Sequence, residues 1–379
     1  VRIASVVCAY PPYRGGISNV AARHAHALTE SGHEVEVICP AHEGAPGTDV
    51  VDGIVVHRLR PLVRHGTSAL VPSVAGRIRG YDLLFLHYPF YGGAEPAALS
   101  ARARRLPYLV FFHMDVVWDG VRGAALEAHR RVLAPLVLGG AHRVLVSSLD
   151  YAAHSSLARH RLGTLQELPY AIDTEERYTP GDVSAERRAA LGLDPGRPVV
   201  LFVGAMDRGH AFKGVPELLR AMASGGIAER AQVALVGEGE LRPGFEALAR
   251  DLLPPGGAAF LGRVPEDDLV DLYRAAALTV LPSVTREEAF GVVLIESMAC
   301  ATPVVASDLA GVRAVVGDGS AGLLVPPGDV PALAEALAAL LDDPGRRSAM
   351  GAAGRERAAG RYSRARERAD LAAAVEAAS

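Results

Sequence analysis

Apolar positions along this chain fall mostly in short unbroken runs, not in strict alternation with polar ones. Such runs occupy residues 3–9, 34–39, 54–59, 82–87, 108–113 and 143–147. Continuous apolar runs of this length are expected of parallel strands buried on both faces. Segments with helical spacing lie between them, for example 18–31 and 123–138. Strand and helix in alternation predict an α/β fold with a doubly wound sheet. Two turn-rich stretches follow, Thr179-Pro180-Gly181-Asp182 and Asp194-Pro195-Gly196-Arg197-Pro198, and the pattern then restarts. The second series of strand-like runs covers 199–204, 232–237, 259–262, 278–282, 303–306 and 323–325. The expectation is two Rossmann-like domains, 1–175 and 176–360, joined near residues 171–181, and a last segment 361–379 that reads as a helix.

Composition supports a packed protein. Of 379 residues, 50% are apolar and 22% charged, which excludes disorder as the main state and suits two or three domains. Mean hydropathy is +0.18, yet no stretch reaches the roughly 18 uninterrupted apolar residues of a membrane helix. The chain runs from Val1-Arg2-Ile3 directly into a strand-like run, so no signal peptide is expected and a cytoplasmic location is. Cys8, Cys39 and Cys300 are odd in number and widely spaced, which disfavours disulfides and zinc sites. Net charge is −4, with 17 basic and 15 acidic side chains in residues 1–175 against 22 and 28 in 176–379. That asymmetry is too mild for a nucleic-acid binder. The arginines in 77–79 and 102–105 read as solvated helix faces, so membrane contact is at most peripheral.

Within the 39 basic side chains there is one lysine, Lys213; the rest are arginine. A codon bias toward arginine accounts for the imbalance, but a compact ammonium does what a planar guanidinium cannot at a crowded site. In open α/β sheets ligands bind beyond the carboxyl ends of the strands, so candidate chemistry is sought there. The first strand ends in Tyr10-Pro11-Pro12-Tyr13-Arg14-Gly15-Gly16 before a helix. Gly15 and Gly16 would let the backbone pass close to a ligand, or form an ordinary turn. The segment lacks G-x-G-x-x-G, which leaves a dinucleotide site and a dehydrogenase unsupported. His113 ends another strand, and His87 the one before it; lone histidines are more often structural. His24 and His26 fall in a helix, and Trp118 reads as a packing residue.

Lys213 stands before Gly214 and a helix, after the strand that ends at Gly204. A cation there, with free amides and the positive helix end, suits a phosphate. It does not fit G-x-x-x-x-G-K-[ST], which disfavours a nucleoside-triphosphate hydrolase. Glu288 and Glu296 flank Phe290-Gly291-Val292, where a helix would begin. The backbone amides would form an anion site, and the carboxylates would accept from vicinal hydroxyls of a ribose or sugar. The alternative is one surface and one salt-bridged glutamate.

Together these motifs resemble family 4 of the retaining glycosyltransferases, which have the GT-B architecture. The most specific part is E-A-F-G-V-V-L-I-E-S-M-A-C-A-T-P-V-V-A-S, residues 288–307. Val236-Gly237-Glu238-Gly239, Phe260-Leu261-Gly262-Arg263-Val264-Pro265 and Gly322-Leu323-Leu324-Val325-Pro326-Pro327-Gly328-Asp329 support it, and the likeness covers nearly the whole chain. It implies two Rossmann-like domains facing across a cleft, an acceptor-binding one first and a nucleotide-sugar-binding one second, with the C-terminal helix crossing back. It also implies that Glu296 binds the donor ribose and Glu288 the transferred sugar. Lys213 would neutralise the diphosphate, and Phe290, Gly291 and Val292 would offer backbone contacts. Arg263 and Val264 would line the base pocket, Gly15 and Gly16 would approach the donor, and His113 would stand near the transferred sugar. Ala205 stands where the family usually has an arginine, and Arg208 is the candidate replacement. The family's Gly-Gly-x-x-Glu is altered to Ala310-Gly311-Val312-Arg313-Ala314.

The expected activity is transfer of a sugar from a UDP- or GDP-sugar to a hydroxyl acceptor, either a small molecule or a lipid, with retention of configuration. No cofactor is expected. The chain has no Asp-x-Asp, the pattern by which other glycosyltransferases hold a divalent ion, so no metal is expected either. The rival readings are a nucleotide-sugar 2-epimerase of the same architecture and a non-catalytic nucleotide-sugar-binding protein.

Overall fold

The computed structural model describes residues 1–378 apart from 14, 43, 45, 67, 117–119 and 161–163, so Trp118 and Arg14 lie outside the described residues. The chain divides into two units. One comprises Val1–Tyr170 with Arg364–Ser379, the other Ala171–Ser363. The division falls after Tyr170 and after Ser363, slightly displaced from the expected breaks at 175 and 360. Ile172 forms an isolated parallel bridge with Ser363, which keeps both residues in the second unit.

The first unit is built on an eight-stranded sheet. From one edge to the other its strands are Thr164–Glu167, Arg143–Val146, Tyr108–Phe112, Leu83–Tyr88, Arg2–Val6, Glu34–Pro40, Ile54–Leu59 and Gly47–Val51. All neighbours are parallel except the last pair, an antiparallel hairpin. The central strands are apolar and buried along their length, as for Leu83–Tyr88 and Tyr108–Phe112. The strands absent from the expectation have different sequences. Gly47–Val51 is an exposed edge strand and Thr164–Glu167 is largely polar, so neither shows an apolar run. Residues 123–138 are two helices, Gly120–Val132 and Ala134–Leu138. Pro135 lacks the N–H needed to continue the first helix and takes a first-turn position in the second.

The second unit holds a six-stranded, wholly parallel sheet in the order Ala258–Gly262, Gln232–Val236, Val199–Val203, Leu278–Leu281, Val304–Ser307 and Gly322–Val325. Its core joins Val200, Phe202, Val233, Leu235 and Val280 to the apolar face of helix Val215–Met222, chiefly Leu218, Leu219 and Met222. In both sheets the chain starts in the middle, runs to one side, and returns to continue on the other. That order creates a switch point beside the first strand of each unit, where the two following loops diverge and leave a crevice. In the second unit the loops at the switch point are those after Val203 and after Leu281.

The helix Arg364–Glu376 belongs to the first unit. It buries Leu371, Ala374 and Val375 and lies against helix Gly16–Glu30.

Candidate active site

In the second unit both switch-point loops carry residues singled out from the sequence. After Val203 the chain passes Gly204, buries Met206, and forms a short 3-10 turn over Arg208–Lys213. Asp207 caps that turn, accepting from the His210 amide (3.0 Å) and lying 2.8 Å from its ring Nδ1. Gly214 then adopts φ +74° and opens helix Val215–Met222. A side chain at Gly214 would run into the main-chain carbonyl of Pro282, so only glycine lets the two loops approach. The Val284 amide donates to the Phe212 carbonyl (2.7 Å) and ties them.

That approach brings Lys213 to Glu288. The ammonium donates to Glu288 Oε2 at 2.8 Å, with side-chain exposures of 15% and 11%. The Ser283 hydroxyl donates to the same oxygen at 3.2 Å. Three residues later Gly291, at φ +87°, caps helix Val292–Ala299, and Phe290 is buried beside it. The unpaired amides of a helix's first turn present donors and a partial positive charge. Glu296 lies in the second turn of this helix, where the Tyr273 hydroxyl donates to its Oε2 at 2.7 Å. Burial pushes the Glu296 carboxyl up to about 7, although hydrogen bonds from Tyr273 and Tyr178 pull the other way.

Arg208 is engaged elsewhere: its Nε lies 3.1 Å from Glu240, and its side chain is 85% exposed. Arg263 is exposed and Val264 partly buried, directly after strand Ala258–Gly262. In the altered loop Gly311 caps the five-residue helix Val312–Val316, and Arg313 pairs with Asp308 at 3.0 Å.

In the first unit Gly15 is the N-cap of helix Gly16–Glu30, in extended conformation, with no side-chain cap. The Ser18 hydroxyl donates to the Tyr13 carbonyl (2.7 Å), which holds the preceding turn against the helix start. His113 follows strand Tyr108–Phe112 and is 2% exposed. Its Nε2 is 3.0 Å from His87 Nδ1 and its Nδ1 is 3.2 Å from the Tyr170 hydroxyl. Burial holds both rings well below the ordinary imidazole range, so both are neutral. A neutral imidazole donates from one nitrogen only, so His113 donates to one of its two partners and accepts from the other.

Tyr273, Tyr178, Ser283 and Tyr170 were not singled out from the sequence. A buried tyrosine reads as core from its neighbours, and only the position of its hydroxyl distinguishes it. Among the described residues no group of three or more His, Cys, Asp or Glu could hold a metal ion.

This arrangement offers an ammonium beside a carboxylate at the switch point, a helix amino end three residues on, and a second carboxylate in the second turn of that helix. Such a set can hold an anionic group next to a polyhydroxyl one. The chain's likeness to known proteins agrees. Residues 183–357 match the family described as "Glycosyl transferases group 1", and residues 15–160 the "Glycosyl transferase 4-like domain". The D-inositol 3-phosphate glycosyltransferase 1 of Catenulispora acidiphila is 32% identical over 375 residues, covering 91% of this chain and 87% of that protein. The GDP-mannose-dependent alpha-(1-6)-phosphatidylinositol monomannoside mannosyltransferase of Mycolicibacterium smegmatis is 29% identical over 364 residues, covering 91% of each. Among solved structures, sucrose-phosphate synthase from Thermosynechococcus elongatus aligns with a TM-score of 0.79 at 26% identity, covering 99% of this chain and 98% of that one. With these sheets and these relatives, the chain belongs to family 4 of the glycosyltransferases and is a glycosyltransferase of the GT-B type.

Proposed function

We propose that this glycosyltransferase moves a sugar, with retention and without a metal, from a UDP- or GDP-sugar to a hydroxyl of a small-molecule or lipid acceptor. The observation that carries the reading is the part-buried Lys213–Glu288 contact at the switch point, beside the glycine-capped helix Val292–Ala299. Lys213 and the first-turn amides take the diphosphate. Glu296 accepts from the ribose hydroxyls, and Glu288 from hydroxyls of the transferred sugar. Arg263 and Val264 line the base pocket through their main chain, Gly15 and Gly16 approach the donor, and His113 stands near the transferred sugar. Arg208 exchanges Glu240 for the diphosphate, in place of the arginine missing at Ala205.

In the reaction the bond between the sugar C1 and the phosphate oxygen breaks, and negative charge grows on the departing diphosphate. Fixed donors aimed at that charge lower the barrier. The acceptor oxygen forms its bond to C1 on the same face, and its proton passes to the departing phosphate oxygen. Retention rests on the family resemblance, and metal independence on the lack of Asp-x-Asp. Two relatives are named for inositol-based acceptors, which puts inositol phosphates and phosphatidylinositol-type lipids first among acceptors to try. No described helix is long and apolar enough to cross a membrane; membrane contact that is at most peripheral is part of this proposal. The three free buried cysteines suit the cytoplasmic location included in this proposal.

The test is a thermal-shift panel of UDP-, GDP-, ADP- and TDP-sugars, followed by incubation of the binding donor with and without acceptor. A glycoside of unchanged anomeric configuration, formed only with acceptor, is the expected result. Sugar epimerised in donor alone, or a product of inverted configuration, would refute the reading.

A further inference from the structure

A line of polar side chains crosses the core of the first unit and ends at His113. It begins on the last helix, where the Glu367 side chain is 1% exposed and both its oxygens share a bifurcated hydrogen bond from Arg23 Nε, at 3.1 and 2.9 Å. Its other neighbour is His24, with Nε2 3.3 Å from Glu367 Oε1 and no exposed surface. The His24 ring lies 5.5 Å from that of His87, which is hydrogen-bonded to His113. Phe85 and Phe111 close around all three: Phe111 stands 4.9 Å from His24 and 4.6 Å from His113, and Phe85 4.8 Å from His87. Beyond His113 the line ends at Tyr170, the last residue before the chain leaves the unit. Glu367 lies just past the point where the chain returns.

A carboxylate in such a place is costly. Buried ion pairs are often no more stabilising than apolar residues of the same shape, so anchoring a helix does not by itself call for one. What a charged pair adds is a defined orientation. His24 is a wall of the His87–His113 pair, and Glu367 lies against its Nε2.

We propose that Glu367 is a positioning residue for His113, acting through His24 and His87. The proposal rests on the reading that His113 serves the transferred sugar. Without Glu367 the Arg23 guanidinium loses its counter-charge in the core, the His24 ring is free to turn, and the His87–His113 hydrogen bond changes its tautomer or length.

The experiment compares the full chain with Glu367→Gln and with the apolar replacement Arg23→Met/Glu367→Leu, each labelled with 15N-histidine. A His113→Ala variant identifies the His113 ring signals. The first readout is the imidazole spectrum. The second is nucleoside diphosphate release from UDP-glucose and GDP-mannose, split into kcat and donor KM and expressed per folded molecule. The expected result is altered His87 and His113 ring signals in both Glu367 variants, with kcat down at least tenfold and donor KM changed less than threefold. Unchanged His113 signals in a folded apolar variant would overturn the proposal, as would kcat that follows the folded fraction alone while His113→Ala is impaired. Loss of all folded protein in both variants assigns Glu367 to the fold and also overturns it. If the ring signals move while His113→Ala turns over normally, Glu367 does position His113, and the assignment of His113 to the sugar is what fails.

Discussion

Lys213 and Glu288 are 75 residues apart in sequence and 2.8 Å apart in the structure, in one part-buried contact at the switch point of the second sheet. The pair has two consequences. Glu288 holds the ammonium in place before any donor arrives, and it also cancels its charge. On the proposed reading, a donor diphosphate shares that ammonium and the donor's hydroxyls give Glu288 new partners.

Removing either partner should therefore have unlike effects. Lys213→Ala is expected to lower turnover by roughly 10²–10³, as for loss of one donor at a developing oxyanion, and to weaken nucleoside diphosphate binding. Glu288→Gln keeps the shape and releases the ammonium, so nucleoside diphosphate affinity should hold or rise while turnover falls. Calorimetric titration with UDP and GDP, beside steady-state rates, separates the two. Parallel loss of affinity in both variants would contradict this division of roles.

Glu296 carries a pH dependence. Its carboxyl is raised from 4.5 to about 7 by burial, so without ligand it is partly protonated at neutral pH. Ionisation then opposes folding, and the stability lent by the protonated form declines as pH rises from about 4.5 through about 7. Ribose hydroxyls favour the carboxylate, so nucleotide binding should release a fraction of a proton near pH 6.5. Affinity should rise with pH up to about 7 and then level off. Glu296→Gln should remove that slope, as read by titration in buffers of different ionisation enthalpy.

Gly214→Ala should damage the site without touching a polar group. At φ +74° alanine costs about 1–2 kcal/mol from backbone conformation alone, and its methyl meets the Pro282 carbonyl. The loops must separate, which draws Lys213 from Glu288. A lower melting temperature together with loss of turnover is expected. A variant that melts lower but turns over normally would show that the loop approach matters for stability only.

Acid should unfold the first unit through Glu367. Burial alone would raise this carboxyl, but Arg23 and His24 outweigh it and hold it at about 2. A depressed carboxyl lends stability above its unfolded value of about 4.5, and that stability disappears as pH falls toward 2. The amount is on the order of 3 kcal/mol. Denaturant unfolding from pH 7 to pH 3 should show a steeper acid limb in the parent than in Glu367→Gln.

EDTA should leave the rate unchanged. Abolition by chelator, with recovery on adding magnesium or manganese, would overturn the metal-independent reading.

Much of the fold was legible because burial on both faces of a parallel sheet writes itself into short apolar runs. All six strands of the second unit fall within a residue or two of the runs that forecast them. What stayed hidden had no such imprint. Gly47–Val51 is an exposed edge, and Thr164–Glu167 is polar. At the candidate site, the lone lysine and the glycines around 204–214 and 291 pointed to two loops that the structure brings together, because these residue types at strand ends answer local backbone needs.

Sequence alone thus determined the order of elements, the two-sheet plan, the family, and the loops proposed to carry the chemistry. Each of these depends on patterns within a few residues. Only the tertiary structure decided the partners: Lys213 with Glu288, Tyr273 with Glu296, and Arg23 and His24 with a glutamate 344 residues from Arg23. Those pairings arise where remote segments converge in a low-dielectric interior, and no local periodicity records which polar atoms will meet there.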